Sequence, residues 1–342
     1  MRWLLGFAAV LTSLWCGYWF VGKTVIERQA SAFLAAQAAE GRRAETTSLS
    51  VGGFPNRFDL TAEGIDFADP AQGLSWQAPF VQVFAMTWKP WHLIAAFAET
   101  QTIGVPGETL TLTSDGLMAS ARTQPSLDLT LAEARVATRT LTVVSSQGWT
   151  AGLGESAAAL RATPGEAATY DLGVQLTRFV PDPRIKEALA QVVLPGLPAS
   201  DLPAEIERLH LDARLGLSAP LDRQAGQTRP QLLSVDLRDL SLVWGELAIV
   251  AKGRLDPDAQ GFAAGRIEVS VTNWDRLPPL LVAAGLVKPE IAPTVTNLLR
   301  ALAADGGDPA TLTLPLVLQG GQMSVGPLPL GPAPLLVPPA GG

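Results

Sequence analysis

Residue types that could do chemistry are few and widely spaced. The chain holds two histidines, His92 and His210, and one cysteine, Cys16. Neither histidine has a second ligand at i+2 to i+4, so the spacing of a transition-metal site is missing. A single cysteine excludes an intrachain disulfide. Gly-x-Ser-x-Gly and the phosphate-loop pattern are absent, and "GLGES" at 152–156 lacks the lysine and following helix that phosphate binding needs. The carboxylate pairs Asp66/Asp69 and Asp256/Asp258 sit among Gly and Pro, where aspartate bonds its own backbone in turns. Turn duty is the stronger reading, and general acid–base work the weaker. No catalytic residue, metal or cofactor is expected.

One stretch looks constructed: "GGFPNRFDLTAEGIDF" at 52–67. Its glycines suggest a phosphate cradle until strand alternation follows them in place of a lysine and a helix. Gly52 and Gly53 let the chain turn after Val51. Pro55 fixes its own φ and biases Phe54 to extended geometry. Phe58, Leu60 and Ala62 then share one face of a strand, and Arg57, Asp59 and Thr61 the other. Gly53, Phe54, Pro55, Arg57, Phe58 and Asp59 therefore read as a structural corner that starts a sheet.

The aromatic residues carry the other signal. Trp76, Phe80, Phe84, Met86, Trp88 and Trp91 crowd into sixteen residues. From 80 to 88 the even positions are bulky, Gln82 excepted, while Val81, Val83, Ala85 and Thr87 take the opposite face. Both faces are largely apolar, which predicts a strand buried between two layers. Two readings stand side by side: core packing, or a groove for acyl chains or another apolar ligand lined by part of this face. Leu280, Leu281, Val282, Leu298 and Leu299, in C-terminal helical patterns, are placed to cap such a groove.

Composition sets the surroundings. Of 342 residues only 17% are charged and 47% are apolar, a balance that implies extra apolar surface. A net charge of −7, with no Lys/Arg-rich run, excludes nucleic-acid binding. Residues 3–21 carry no charge, close to the ~20 residues that cross a hydrocarbon core. Trp3, Trp15, Tyr18 and Trp19 supply interfacial aromatics. No small-x-small cleavage site follows Phe20, so an uncleaved signal-anchor over residues 1–22 is favoured over a signal peptide. Cys16 follows Ser13-Leu14-Trp15, and the bulky Trp suits a lipid-facing helix better than a lipidation site. A single-pass inner-membrane protein with its bulk in the periplasm is expected.

Residues 23–45 are rich in Ala, Glu, Gln and Arg and predict a helical stem ending near Gly41. Arg42 and Arg43 fit a solvated helix end or a contact with headgroups. From 46 to 326 alternation recurs in about a dozen segments divided by turn signals, predicting antiparallel strands with one wet and one apolar face. Helical interruptions are predicted at 90–98, 182–194 and 277–307, the last as two helices around Pro289 to Pro293. Residues 327–342 form a Pro/Gly-rich tail. The fold class is mainly β: a curved antiparallel sheet, groove-like or an open barrel, with a few short helices and one N-terminal transmembrane helix.

The N-terminal anchor, the Gly-Phe-Pro-x-Arg-Phe-Asp corner (53–59), "WKPWHLI" at 88–94 and the closing "LPLVLQGGQMSVGPLPLG" together resemble an uncharacterised bacterial envelope family. It is catalogued only as domain of unknown function twenty-one twenty-five and found mainly in alphaproteobacteria. The family brings no catalytic residues. More weakly, "AKGRLDPDAQGFAAGRIEVSV" is similar in texture to AsmA-like periplasmic β-groove proteins, which implies a link to lipid movement. The expected function is a membrane-anchored periplasmic module that binds or hands on lipid, or assists envelope assembly. The alternative is a structural protein of the envelope that holds a protein partner and no small ligand. Arg57→Ala is expected to harm folding or assembly rather than chemistry; a fully stable variant that had lost ligand binding would contradict the corner reading.

Overall fold

The computed structural model describes residues 2–192, 194, 202–283, 287–305, 308–326 and 328–337. It divides into two compact units, Met1–Gly148 and Trp149–Gly342. The division falls at the Gln147-Gly148 turn, where one β-rich domain over 46–326 was expected.

In the first unit a single helix, α1 (Arg2–Ala39), covers both the apolar segment and the stem. It carries no Pro, and Gly41 follows it with a φ of +83°. The strands are β1 (Arg43–Glu45), β2 (Ser48–Gly52), β3 (Arg57–Asp69), β4 (Leu74–Met86) and β5 (Lys89–Phe97). After them come β6 (Thr100–Val105), β7 (Glu108–Asp115), β8 (Met118–Thr123), β9 (Leu131–Thr138) and β10 (Thr140–Ser145). β1 opens three residues before the expected end of the stem. All pairings are antiparallel, and the sheet forks at β4. β3 lies on one side of it; on the other, Val81–Met86 pairs with β5 and Ser75–Gln77 with β6. One branch continues through β8 to β9, and the other through β7 to β10.

The expected helix at 90–98 is a correction: those residues belong to β5. An apolar run of this length fits a strand or a helix equally on pattern alone. Pairing with β4 on one edge and β8 on the other decides for the strand.

The second unit is a meander. β11 (Thr150–Leu153), β12 (Ser156–Ala162), β13 (Thr169–Phe179), β14 (Ile206–Leu217) and β15 (Leu232–Trp244) come first. β16 (Leu247–Pro257), β17 (Ala263–Thr272), β18 (Thr311–Gln319), β19 (Gln322–Val325) and β20 (Leu328–Pro332) follow. From β12 to β20 each strand pairs antiparallel with the next. Among the described residues four α-helices interrupt it: α2 (Pro183–Gln191), α3 (Ala225–Thr228), α4 (Leu277–Ala283) and α5 (Ala292–Asp305). Asp182 caps α2, accepting from the Arg184 amide. That bond, the Arg184 guanidinium and the Thr150 amide hold its carboxyl well below the usual carboxylate range. Pro195, the expected stop of this helix, lies outside the described residues, as do residues 338–342 of the tail.

Helices α2, α4 and α5 close one end of the apolar side of this sheet. Leu189, Trp244, Leu247, Val271, Trp274, Val295, Leu299 and Leu312 form the largest buried cluster. A second cluster, Ala263, Leu318 and Ala333, sits where the tail returns to the sheet. There Leu335 bridges to Phe262.

The wet side carries charge. Arg161, Asp171, Arg214, Asp236, Arg254 and Arg266 lie opposite one another on successive strands. Asp171 is the centre: its Oδ1 accepts from Arg214 Nε at 2.9 Å and Arg238 Nη2 at 2.8 Å. The hydrogen bond from Arg214, with the charges of both guanidiniums, lowers the Asp171 pKa against a smaller opposing effect of burial. A lowered folded pKa means that the unfolded chain binds more protons as pH falls through the ordinary aspartate range near ~3.9. Asp171 thus stabilises above that range, and the contribution disappears as pH drops through its folded value. Asp171→Asn should cost roughly 1 kcal/mol at pH 7. The gap to wild type should close in denaturation curves taken at progressively lower pH.

Candidate functional site

The corner at 52–59 is where α1 docks. Gly53 takes a φ of +92°, and the Phe54–Pro55 peptide is cis. Trp19, the one fully buried residue of α1, stacks on Phe58 with centroids 6.2 Å apart and meets Phe54 edge-on at 5.3 Å. Val51, Ile26 and Leu60 complete the contact. Gly22 makes room, since a Cβ there would lie 2.5 Å from the Phe58 ring. Three polar atoms of the helix then reach the two turns beside it. Trp15 Nε1 donates to Pro55 O at 3.1 Å, Trp19 Nε1 to Arg57 O at 2.7 Å, and Tyr18 Oη to Thr87 O at 2.9 Å.

Arg57 and Asp59 are brought together, as their spacing implied. Arg57 Nη2 donates to Asp59 Oδ2 at 2.7 Å, and its guanidinium carbon lies 5.7 Å from the centre of the Phe84 ring. Phe58 and Leu60 take the opposite, helix-facing side, as predicted. At the far end of β3, Arg42 donates to Asp69 at 3.1 Å and Arg43 pairs with Asp66 at 2.9 Å. Those arginines tie stem to sheet; they are not a free helix end. Of each carboxylate pair, one member does turn duty and the other does not. Asp69 accepts from the Ala71 and Gln72 amides and Asp258 from those of Gln260 and Phe262. Asp66 and Asp256 are strand residues paired with Arg43 and Arg254. His92 lies opposite Arg122 in β8, and His210 Nε2 is 3.8 Å from the Asp239 carboxylate.

The five aromatic candidates and Met86 are not gathered on one surface. Trp76 packs with Ala62, Ile65, Ala78 and Val81, and its Nε1 donates to Gln101 at 2.9 Å. Phe80, Phe84 and Met86 alternate to the other side, directly opposite Glu63, Asp59 and Arg57 of β3. The expectation of a strand buried on both faces is corrected here, because Phe80 and Met86 are exposed. Trp88 is half exposed at the β4–β5 turn, and Trp91 is partly buried in β5 on the side of Leu93. The aromatic run therefore divides among a core, a mixed face and a turn.

A larger apolar surface lies in the second unit. Leu160, Leu172, Ala213, Leu237, Gly253, Ile267, Leu316 and Val325 face one another in sequence across β12 to β19. This row holds no polar side chain. Seven strand spacings of about 4.8 Å give it a length of roughly 34 Å along the sheet. The next row, Val174, Leu211, Leu240, Ala251, Val269 and Leu314, is equally apolar. The helix-covered cluster and the tail cluster flank these rows, one toward each end of the strands. Between them Leu160, Leu172, Leu237 and Ile267 are only partly buried and join neither cluster. The signal was present in the strings "DLGVQL" and "RLHLDARLGL", whose alternate positions are all apolar, and in "LSVDLRDLSL", where a bulge between Leu237 and Leu240 shifts the alternation by one.

Together these features define a β-sheet protein with an apolar sheet face and one N-terminal helix long and apolar enough to cross a membrane. More particularly, the chain belongs to a family of uncharacterised proteins conserved in bacteria (DUF2125), whose model matches residues 19–334. The match opens on Trp19 and takes in the docking corner. No curated protein sequence and no solved structure matches the chain, so the likeness to AsmA-like proteins stays one of sequence texture. If α1 is held by the corner, Trp19→Ala should lower the stability of the first unit by about 3 kcal/mol, the scale of a lost buried aromatic. Trp19→Phe, which keeps the ring and loses one hydrogen bond, should cost about 1 kcal/mol. Thermal unfolding of the full chain in detergent measures both.

Proposed function

We propose that the protein is a single-pass inner-membrane protein whose β-units lie in the periplasm, and that the apolar face of the second unit binds lipid. The observation that carries this reading is the unbroken apolar row from Leu160 to Val325. An apolar face of that length normally ends up covered, because each exposed Å² costs about 25 cal/mol. The chain itself covers the face on both sides of the row along the strands, and the partly buried stretch between, with Leu160, Leu172, Leu237 and Ile267, is the place for an acyl chain. Hydrocarbon asks for no hydrogen bonds, which suits a row with no polar group. Binding or handing on of lipid, or assistance in envelope assembly, follows from a greasy surface tethered to the bilayer that supplies the ligand.

The second reading is an envelope scaffold that holds a protein partner and no small ligand. In its favour, α2, α4 and α5 already fill one end of the face with well-buried side chains.

Native mass spectrometry of the full chain, purified in mild detergent, separates the two. Copurifying lipid is expected, with a fluorescent fatty acid displacing it. Leu172→Glu or Leu237→Glu should reduce probe binding at least tenfold while Tm changes by only a few degrees. Absence of lipid, with a probe that fails to bind wild type, would leave the scaffold reading.

A further inference from the structure

The corner and the β4–β5 turn sit beside a part of α1 that belongs to its apolar segment. Residues 3–21 are uncharged and span about 28 Å as a helix, close to the ~30 Å of a hydrocarbon core. Trp15, Tyr18 and Trp19 lie in the last two turns of that segment. Their partners, Pro55, Thr87 and Arg57, are therefore at the same level as apolar helix. Along the chain β3 leads away from it: it starts beside Trp19 and finishes beside Arg42, after the end of α1. One end of the hairpin meets the apolar segment, and the other lies far along the stem.

Near a hydrocarbon boundary water is scarce, so turns placed there gain from internal partners for their carbonyls. Three helix donors supply them: the indoles of Trp15 and Trp19 to Pro55 O and Arg57 O, and the Tyr18 hydroxyl to Thr87 O. Thr87 N and Oγ1 both donate to Asn56 O, which joins the two turns. Three large apolar side chains point outward here beside exposed Asn56: Phe54 is 51% exposed, Trp88 50% and Met86 42%. Lys89, exposed beside them, is a cation of the kind that meets anionic headgroups.

We propose that the turns at residues 54–56 and 87–88 are a second membrane contact, seated in the lipid interface against α1, with Phe54, Met86 and Trp88 in the acyl boundary. The occupant of this surface is bilayer lipid, continuous with the lipid around α1. The proposal rests on the reading that α1 spans the bilayer, and the test keeps the two apart.

The full chain carrying Cys16→Ser takes a single environment-sensitive fluorophore at Trp88→Cys, Met86→Cys, Gln72→Cys or Val10→Cys. Each is reconstituted in vesicles of phosphatidylethanolamine and phosphatidylglycerol. Labels at 86 and 88 should be quenched several-fold more by lipid with a nitroxide near the headgroup end of its acyl chain than the label at 72. The label at 72, in the turn at the other end of the β3–β4 hairpin, should instead be quenched by aqueous iodide. A label at 10 should respond to a nitroxide deep in the chain. If 86 and 88 behave like 72 while 10 is quenched from within the bilayer, the second contact is wrong and the spanning helix stands. If 10 is also reached only by iodide, the spanning reading fails and the proposal with it.

Discussion

An antiparallel sheet with one dry face must cover that face, and the way each unit does so governs its structure. In the first unit the cover is α1, whose Trp19 is pressed between Phe58 and Phe54 and whose Ile26 reaches Leu60. In the second, α2, α4 and α5 take one end and the tail the other. In the second unit α2, α4 and α5 act as lids, inserted between strands where the meander's apolar side would otherwise meet water. The strongest chemical signals of the second unit arise from the same partition. Arg161, Asp171, Arg214, Asp236 and Arg254 form a charged row one residue away, along every strand, from the apolar row of Leu160 and Leu172. A register slip of one residue would exchange these rows and bury five charges, a cost that fixes the pairing.

The corner was expected to start the sheet, yet β1 and β2 precede it and it joins β2 to β3, which shows how position decides the meaning of a motif. Gly-Phe-Pro-x-Arg-Phe-Asp contains groups suited to phosphate or acid–base work, yet each is engaged elsewhere. Phe54 and Phe58 clasp Trp19, Arg57 is spread between Asp59 and the Phe84 ring, and the carbonyls of Pro55 and Arg57 accept from indoles. The helix brings donors, whereas ordinary apolar helices bring only hydrocarbon. Three amphipathic aromatics within five residues let one helix face be greasy to lipid and hydrogen-bonding to a turn.

What was legible in the sequence follows from how local each signal is. The continuous helix, its end at Gly41, the turn at Gly53 and the alternation of β3 depend on neighbouring residues, and all were read correctly from them. Residues 90–98 were not, because Trp91 to Ala96 form an apolar run whose identity as β5 is settled by partners in β4 and β8, as far as thirty residues along the chain. The face of Phe80, Phe84 and Met86 failed for a related reason. Alternation within β4 placed these residues together, but it could not say that Glu63, Asp59 and Arg57 would stand opposite. A single strand reports which side chains share a side, while only pairing reports which side that is.

The wider apolar surface is hard to see in the sequence because no single residue in it is conspicuous. Trp and Phe are conspicuous, and here they mostly fill gaps: Trp76 in a small core, Trp244 and Trp274 under the helices. The long row is made of Leu, Ile, Val and Ala, none of which stands out in isolation. Its character appears only when β12 to β19 are laid side by side and every position in the row proves apolar. Aliphatic side chains also suit the proposed role better than aromatic ones. They present a smooth surface with no preferred ring geometry and no polar handle to satisfy, so an acyl chain can lie along them in many registers. Specific recognition would need fixed polar groups within the row, and those of this unit stand on the opposite face, bonded to one another. A surface that is greasy, long and without polar landmarks favours passage of a class of ligands over selection of one.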